Sequence, residues 1–233
     1  MVDAMGSYLS MNPASKKPVI VGLLVLFGFL NSSVVAQDPA RLRNEVRKLT
    51  AGDSSLQKKS LILFTGSSSV RLWKTLNTDF AEYNILNRGF GGSTMTDLQH
   101  YLDTLITPYR PVKVFIYEGD NDIGSGKAPD DIIADAIKLT RSIKDKLPET
   151  HVLFLSPKPS VSRWHLKERY ELYNAKLKSW AATQKGVSFI DVWTPMLHAN
   201  GLVRSDLFVE DGLHMNATGY EIWKQVIAPY LIK

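Results

Sequence analysis

Leu61-Ile62-Leu63-Phe64-Thr65-Gly66-Ser67-Ser68-Ser69 is the stretch on which the fold turns. Four apolar residues run without a break into a small, polar turn. A strand with one wet face alternates apolar and polar residues. An unbroken apolar run suits a strand covered on both faces. The pattern recurs along the chain. Ile85-Leu86 ends before Asn87-Arg88-Gly89, and Val112 to Tyr117 runs into Gly119. Val152 to Leu155 runs into Ser156-Pro157, and Val187 to Ile190 into Asp191.

Helical spacing fills the gaps. Asp130 to Lys146, Leu166 to Gln184 and Ala217 to Leu231 each carry apolar residues three and four apart, and Asp38 to Thr50 reads as an amphipathic lead-in helix. Strands alternating with helices predict an α/β fold, a parallel sheet of about five strands with helices on both faces. In such sheets ligands bind at the carboxyl ends of the strands. Chemistry-bearing residues are therefore sought just after each strand.

The chain has 233 residues, 44% hydrophobic and 22% charged, which suits one domain with a sizeable core. Its net charge of +5 is spread along the chain without a basic helix or arm, so nucleic acid is not an expected partner. There is no cysteine. That excludes disulfides, thiol catalysis, cysteine-held metals and lipid attachment through an N-terminal cysteine.

The N-terminus reads as a separate object. Lys16-Lys17 precede an apolar run from Val19 to Leu30, and Val34-Val35-Ala36 supply a small residue at a cleavage position. Residues 1–36 are thus expected to be a signal peptide, with residues 37–233 the single mature domain. The alternative is an uncleaved N-terminal anchor, the one route by which a membrane would become a partner. Either outcome places the domain outside the cytoplasm, secreted or periplasmic. Removal of the segment leaves 26 basic against 22 acidic residues, a net +4.

Four segments carry the candidate chemistry. Ser68 follows a strand and a glycine, where a sharp turn can present its hydroxyl at the sheet edge. A serine hydroxyl is a weak nucleophile until a base takes its proton. Asp211 and His214 lie three apart, a spacing that puts both side chains on one side of a turn. The carboxylate can then hold the imidazole in the tautomer that accepts a proton. Gly92 and Asn121 each follow a strand-like run. They can offer a backbone N–H and a carboxamide N–H to a developing oxyanion, each worth about 10²–10³ in rate. Each segment alone also suits a structural role. Gly66 to Ser69 could be a helix-capping turn, Gly89 to Gly92 a plain turn, Asn121 a cap for the turn at Gly124, and Asp211 the cap of the last helix. No pair among His100, His151, His165 and His198 has the spacing of a metal site, and no phosphate-loop pattern is present. No metal or cofactor is expected.

Taken together, Phe64-Thr65-Gly66-Ser67-Ser68-Ser69-Val70, Asn87-Arg88-Gly89-Phe90-Gly91-Gly92-Ser93, Gly119-Asp120-Asn121-Asp122 and Asp211-Gly212-Leu213-His214 resemble the four blocks of the GDSL-type, or SGNH, serine hydrolases. The resemblance spans roughly residues 60 to 230. It implies a flavodoxin-like, three-layer α/β/α fold and hydrolysis of acyl esters. By position it gives Ser68 the nucleophile's role and Asp211 with His214 the rest of the triad. The oxyanion hole falls to Gly92, Asn121 and the backbone N–H of Ser68. Ser67 stands where the family usually has Asp, so Ser67 and Ser69 remain rival nucleophiles.

The expected function is an exported serine esterase acting on short-acyl esters of small molecules or carbohydrates, O-acetyl sugars among them. The same acyl-enzyme chemistry would serve an acyltransferase to a sugar or cell-wall hydroxyl, and an inactive, ligand-binding relative is the third reading. The loop Ser156 to His165 leaves the same sheet edge. Arg163 and Trp164 in it are candidate contacts for the substrate's leaving group; Trp164 could equally pack on the following helix.

Overall fold

A computed structural model describes residues 38–53 and 56–232. The segment read as an export signal, residues 1–36, lies outside the described residues.

The described residues form a five-stranded, all-parallel sheet. Its strands are β1 (Ile62–Gly66), β2 (Ile85–Gly89), β3 (Lys113–Tyr117), β4 (His151–Leu155) and β5 (Val187–Ile190), in the spatial order β2-β1-β3-β4-β5. This is the 2-1-3-4-5 order of a doubly wound sheet, with its switch of direction between β1 and β3. The expected fold class is the observed one.

Side chains alternate faces along a strand, and two separate core clusters follow from that. Leu63, Val114, Ile116, Val152 and Phe154 join one cluster with residues of α4 (Met95–His100), α7 (Pro129–Lys146) and α8 (Lys167–Ala181). Ile62, Phe64, Phe115, Tyr117, Leu153 and Leu155 join the other with Trp73 and with Trp223 and Ile227 of α9 (Ala217–Leu231). Burial of both strand faces is why those runs carry no polar alternation. The layers are α/β/α.

Two differences from the sequence reading have physical causes. First, β2 runs on through Asn87-Arg88-Gly89. Arg88 is buried because partners from distant segments neutralise it. Its guanidinium pairs with Asp53, lies 4.9 Å from the Tyr109 ring centroid and donates to the Tyr109 hydroxyl. Second, short helices fill what reads as loop: α2 (Ser68–Arg71), α3 (Leu76–Asp79), α5 (Leu102–Leu105), α6 (Asp120–Gly124) and α4. Four to six residues are too few to show a 3.6-residue period. The lead-in splits into a 3₁₀ turn, Pro39–Leu42, and α1 (Arg43–Thr50).

Candidate active site

The site lies along the carboxyl edge of the sheet, where β1, β2 and β3 hand over to α2, the β2–α4 loop and α6. Gly66 ends β1 at φ +116°. A Cβ there would sit 2.1 Å from the Tyr117 carbonyl oxygen, so only glycine fits. The turn is tied to both neighbouring strands: Ser67 N–H donates to Tyr117 O at 3.0 Å, and Phe90 N–H to Gly66 O at 2.8 Å. Ser67 and Ser69 point inward and are buried, while Ser68 is half-buried. The three serines are therefore not equivalent, and it is Ser68 whose hydroxyl reaches the histidine.

His214 Nε2 lies 3.0 Å from Ser68 Oγ, and its Nδ1 lies 2.6 Å from Asp211 Oδ2. The second carboxylate oxygen of Asp211 accepts the backbone N–H groups of Leu213 and His214, each at 2.8 Å. Asp211 is thus fixed before it meets the imidazole. Its slight burial opposes ionisation. The hydrogen bonds from the His214 ring and the two backbone groups outweigh it and hold the carboxyl at about 2. An ionised Asp211 makes Nδ1 the protonated nitrogen and leaves Nε2 to accept. Residues 211–214 form a turn rather than a helix; the cap of α9 is Asn216, which accepts from Gly219 N–H at 3.2 Å.

Gly92 and Asn121 come to the same edge. Gly92 has φ +71°, and a Cβ on it would meet nothing within 4 Å. The loop faces open space there, so the backbone angle rather than crowding calls for glycine. Asn121 Nδ2 donates to Ser93 O at 2.9 Å, while its Oδ1 accepts from Arg163 Nη2 at 3.1 Å. A carbonyl on one side and a guanidinium on the other leave one orientation for the amide.

Arg163 is turned into the protein. Besides Asn121, it donates to the Asp120 carboxylate at 2.6 Å and to the Asp120 carbonyl at 2.9 Å. Asp120 is a buried hub. It also accepts from Tyr117 at 2.8 Å and Tyr170 at 2.5 Å, and Lys158 Nζ lies 3.6 Å away. Burial alone would raise this carboxyl, but Lys158 and Arg163 with the two phenols bring it down to about 2. Trp164 is half-buried and stacks on Trp193 with centroids 6.0 Å apart. The loop bearing both residues braces the turn at residues 211–214, with Ser162 N–H donating to Gly212 O at 3.1 Å.

The lead-in segment takes part in a way that reading the motifs did not reveal. Arg41 forks onto Asp97 with two bonds of 2.7 Å and donates to Gly92 O at 3.0 Å. Glu45 accepts the Gly91 N–H at 2.9 Å. Thr94 and Asp97 form a capping box at the start of α4, a pattern visible in the sequence; the partners 46 and 56 residues away are not. Among the described residues no group of three or more His, Cys, Asp or Glu could hold a metal ion, and no helix is long and apolar enough to cross a membrane.

A Ser–His–Asp row at the carboxyl edge of such a sheet is a constellation that recurs in serine hydrolases of unrelated folds. The chain belongs to the GDSL-like lipase/acylhydrolase family, whose model matches residues 49–222. Solved structures agree in fold. A GDSL-like lipase from Bacteroides thetaiotaomicron superposes with a TM-score of 0.70 at 20% identity, covering 83% of this chain and 98% of its own. A Streptococcus pneumonia protein named for platelet activating factor gives 0.73 at 22% identity, with 83% and 92% covered. A variant of an acetyl-xylooligosaccharide esterase from Geobacillus Stearmophilus gives 0.62 at 16%, with 76% and 95% covered. A search of curated protein sequences returns no match.

Proposed function

We propose that the chain is an exported serine esterase that hydrolyses short-acyl carboxylic esters, O-acetylated carbohydrates among them. The observation that carries this is the unbroken row Ser68 Oγ–His214 Nε2, 3.0 Å, and His214 Nδ1–Asp211 Oδ2, 2.6 Å. As Ser68 Oγ attacks the ester carbonyl carbon, its proton passes to His214 Nε2. The imidazolium is steadied by ionised Asp211. The carbonyl oxygen gains the negative charge and is met by the N–H groups of Ser68 and Gly92 and by the free amide hydrogen of Asn121. Collapse expels the alcohol, which takes the proton from His214. Water then repeats the sequence on the acyl-enzyme and releases the acid.

Two observations support the short acyl group. The side chains of His214 and Asp211 are 28% and 47% exposed, so the row stands open. Among the described residues after α6, the helices longer than three residues are α7, α8 and α9, which cover the sheet; the remaining 3₁₀ turns have three residues each, too few to wall in a long acyl chain. The carbohydrate suggestion draws support from the acetyl-xylooligosaccharide esterase among the structural neighbours. Purified residues 37–233 should be assayed against p-nitrophenyl esters, acetylated xylo-oligosaccharides and phospholipid. Turnover of the acetyl esters supports the reading. Turnover confined to aggregated phospholipid refutes it.

A further inference from the structure

Glu118 follows β3 directly and is 1% exposed. Its Oε1 lies 2.6 Å from Ser93 Oγ, and that hydroxyl lies 3.1 Å from the Phe90 carbonyl oxygen. A serine hydroxyl has one proton to give, and a carbonyl can only accept. Both contacts are satisfied in full when Ser93 donates to Phe90 and the carboxyl donates to Ser93. The surroundings agree. The charged groups that act on Glu118 most strongly are Asp122, Asp97 and Asp120, all acidic, and Tyr173 of α8 lies close enough to interact. Among the described residues no basic side chain pairs with it. Its Oε2 is buried with no hydrogen-bond partner. That is tolerable for the carbonyl oxygen of a neutral acid and costly for a carboxylate. Burial first, then the neighbouring carboxylates, push this carboxyl well above its ordinary range; only a Ser93 O–H turned from Phe90 O to Oε1 would pull the other way.

We propose that Glu118 is a positioning residue, held as a neutral carboxylic acid, whose O–H donates to Ser93 Oγ and fixes the loop that presents the oxyanion donors. The proposal rests on the esterase reading above. The hydrogen-bond chain is Glu118 O–H to Ser93 Oγ, and Ser93 O–H to Phe90 O. Phe90 N–H in turn holds Gly66 O at the nucleophile turn. Gly92 lies between Phe90 and Ser93, and the Ser93 carbonyl is the acceptor that aims Asn121. One buried proton thus sets both outer donors of the hole. Its presence matters a second time, because a bare carboxylate behind the hole would oppose the charge growing on the substrate oxygen.

The test uses residues 37–233 as wild type, Glu118→Gln, Glu118→Ala and Ser93→Ala. The infrared difference between wild type and Glu118→Gln at neutral pH should contain the carbonyl stretch of a protonated carboxylic acid. Carboxylate bands in its place overturn the proposal. Glutamine retains an N–H for Ser93, so kcat should stay within roughly threefold of wild type, whereas Glu118→Ala and Ser93→Ala should each lower kcat on the order of tenfold with KM little changed. Equal loss in the Gln and Ala variants, or an unaltered kcat in both Ala variants, also overturns it. If Glu118→Ala does not fold, the infrared band and Ser93→Ala decide. A wild type that turns over no ester sinks the esterase reading instead, while the infrared band still reports where the proton sits.

Discussion

Arg163 Nη2 donates to Asn121 Oδ1 at 3.1 Å, across 42 residues of sequence. Together with the Ser93 carbonyl, which accepts from Nδ2 at 2.9 Å, this bond decides how the Asn121 amide is turned. With the oxygen held by the guanidinium, Nδ2 is the end that faces Ser93 O. Arg163→Ala should therefore lower kcat on the order of tenfold with KM little changed, because the donor is misaimed rather than lost. In an Asn121→Ala background the same change should cost little further. Additive losses in the double-mutant cycle would show that Arg163 acts elsewhere.

The triad variants should rank by role. Ser68→Ala and His214→Ala should each remove nearly all turnover, leaving roughly 10³-fold over water from binding and the oxyanion hole. Asp211→Asn should cost less than either. Steady-state kinetics with circular dichroism on each preparation checks the ranking, and a Ser68→Ala enzyme near wild type would overturn the assignment.

Acid stability should centre on Asp120. Its carboxyl sits at about 2 in the folded chain, below its ordinary value of 3.8. A depressed group contributes stability that is full above the unfolded value and is lost as pH falls through the folded one. Unfolding free energy should thus decline between about pH 4 and pH 2. Asp120→Asn should be less stable at neutral pH, since it leaves Lys158 and Arg163 without their charge partner, and its decline over that window should be shallower. Urea titrations from pH 2 to 7 give both quantities; parallel pH curves for the two proteins would contradict the prediction.

The lead-in segment should affect catalysis rather than merely folding. Arg41→Ala and Glu45→Ala release Gly92 O and Gly91 N–H, and each should reduce kcat by several-fold to about tenfold with a smaller effect on KM. Removal of residues through Thr50 should combine both losses. A truncated chain that keeps its melting temperature and its kcat would show that these bonds do not hold the loop.

Chain-length preference tests the open site. kcat/KM across p-nitrophenyl esters of two to sixteen carbons should peak at acetyl to butyryl, measured below any micelle threshold. Burying each further CH₂ would be worth about 0.8 kcal/mol only if an apolar wall were there to receive it. A maximum at eight carbons or more would reveal such a wall.

What could be read in the sequence follows from how local each signal is. β1, β3 and β4 announce themselves because both faces of each are covered; β5, at the sheet edge and half-covered at Ser188 and Phe189, is legible from its apolar Val187, Phe189 and Ile190. β2 is legible at Ile85-Leu86 and not at Arg88, since nothing near Arg88 shows that Asp53 and Tyr109 will bury it. The residues that form the Ser68–His214–Asp211 row sit in short segments with recognisable turns, so their candidacy is visible without the fold. Arg163, Glu118, Arg41 and Glu45 act through partners 25 to 56 residues away, apart from any motif. Arg163 is legible as a residue beside the site, but the direction in which its side chain turns is a tertiary fact.

The central claim is that Ser68 is an activated nucleophile. The most direct measurement is intact mass and peptide mapping after exposure of residues 37–233 to a fluorophosphonate. A single adduct on Ser68, abolished by Ser68→Ala, strongly reduced by His214→Ala and retained by Ser69→Ala, is the result expected. No adduct on the folded wild-type protein, or an adduct on Ser67 or Ser69, would contradict it.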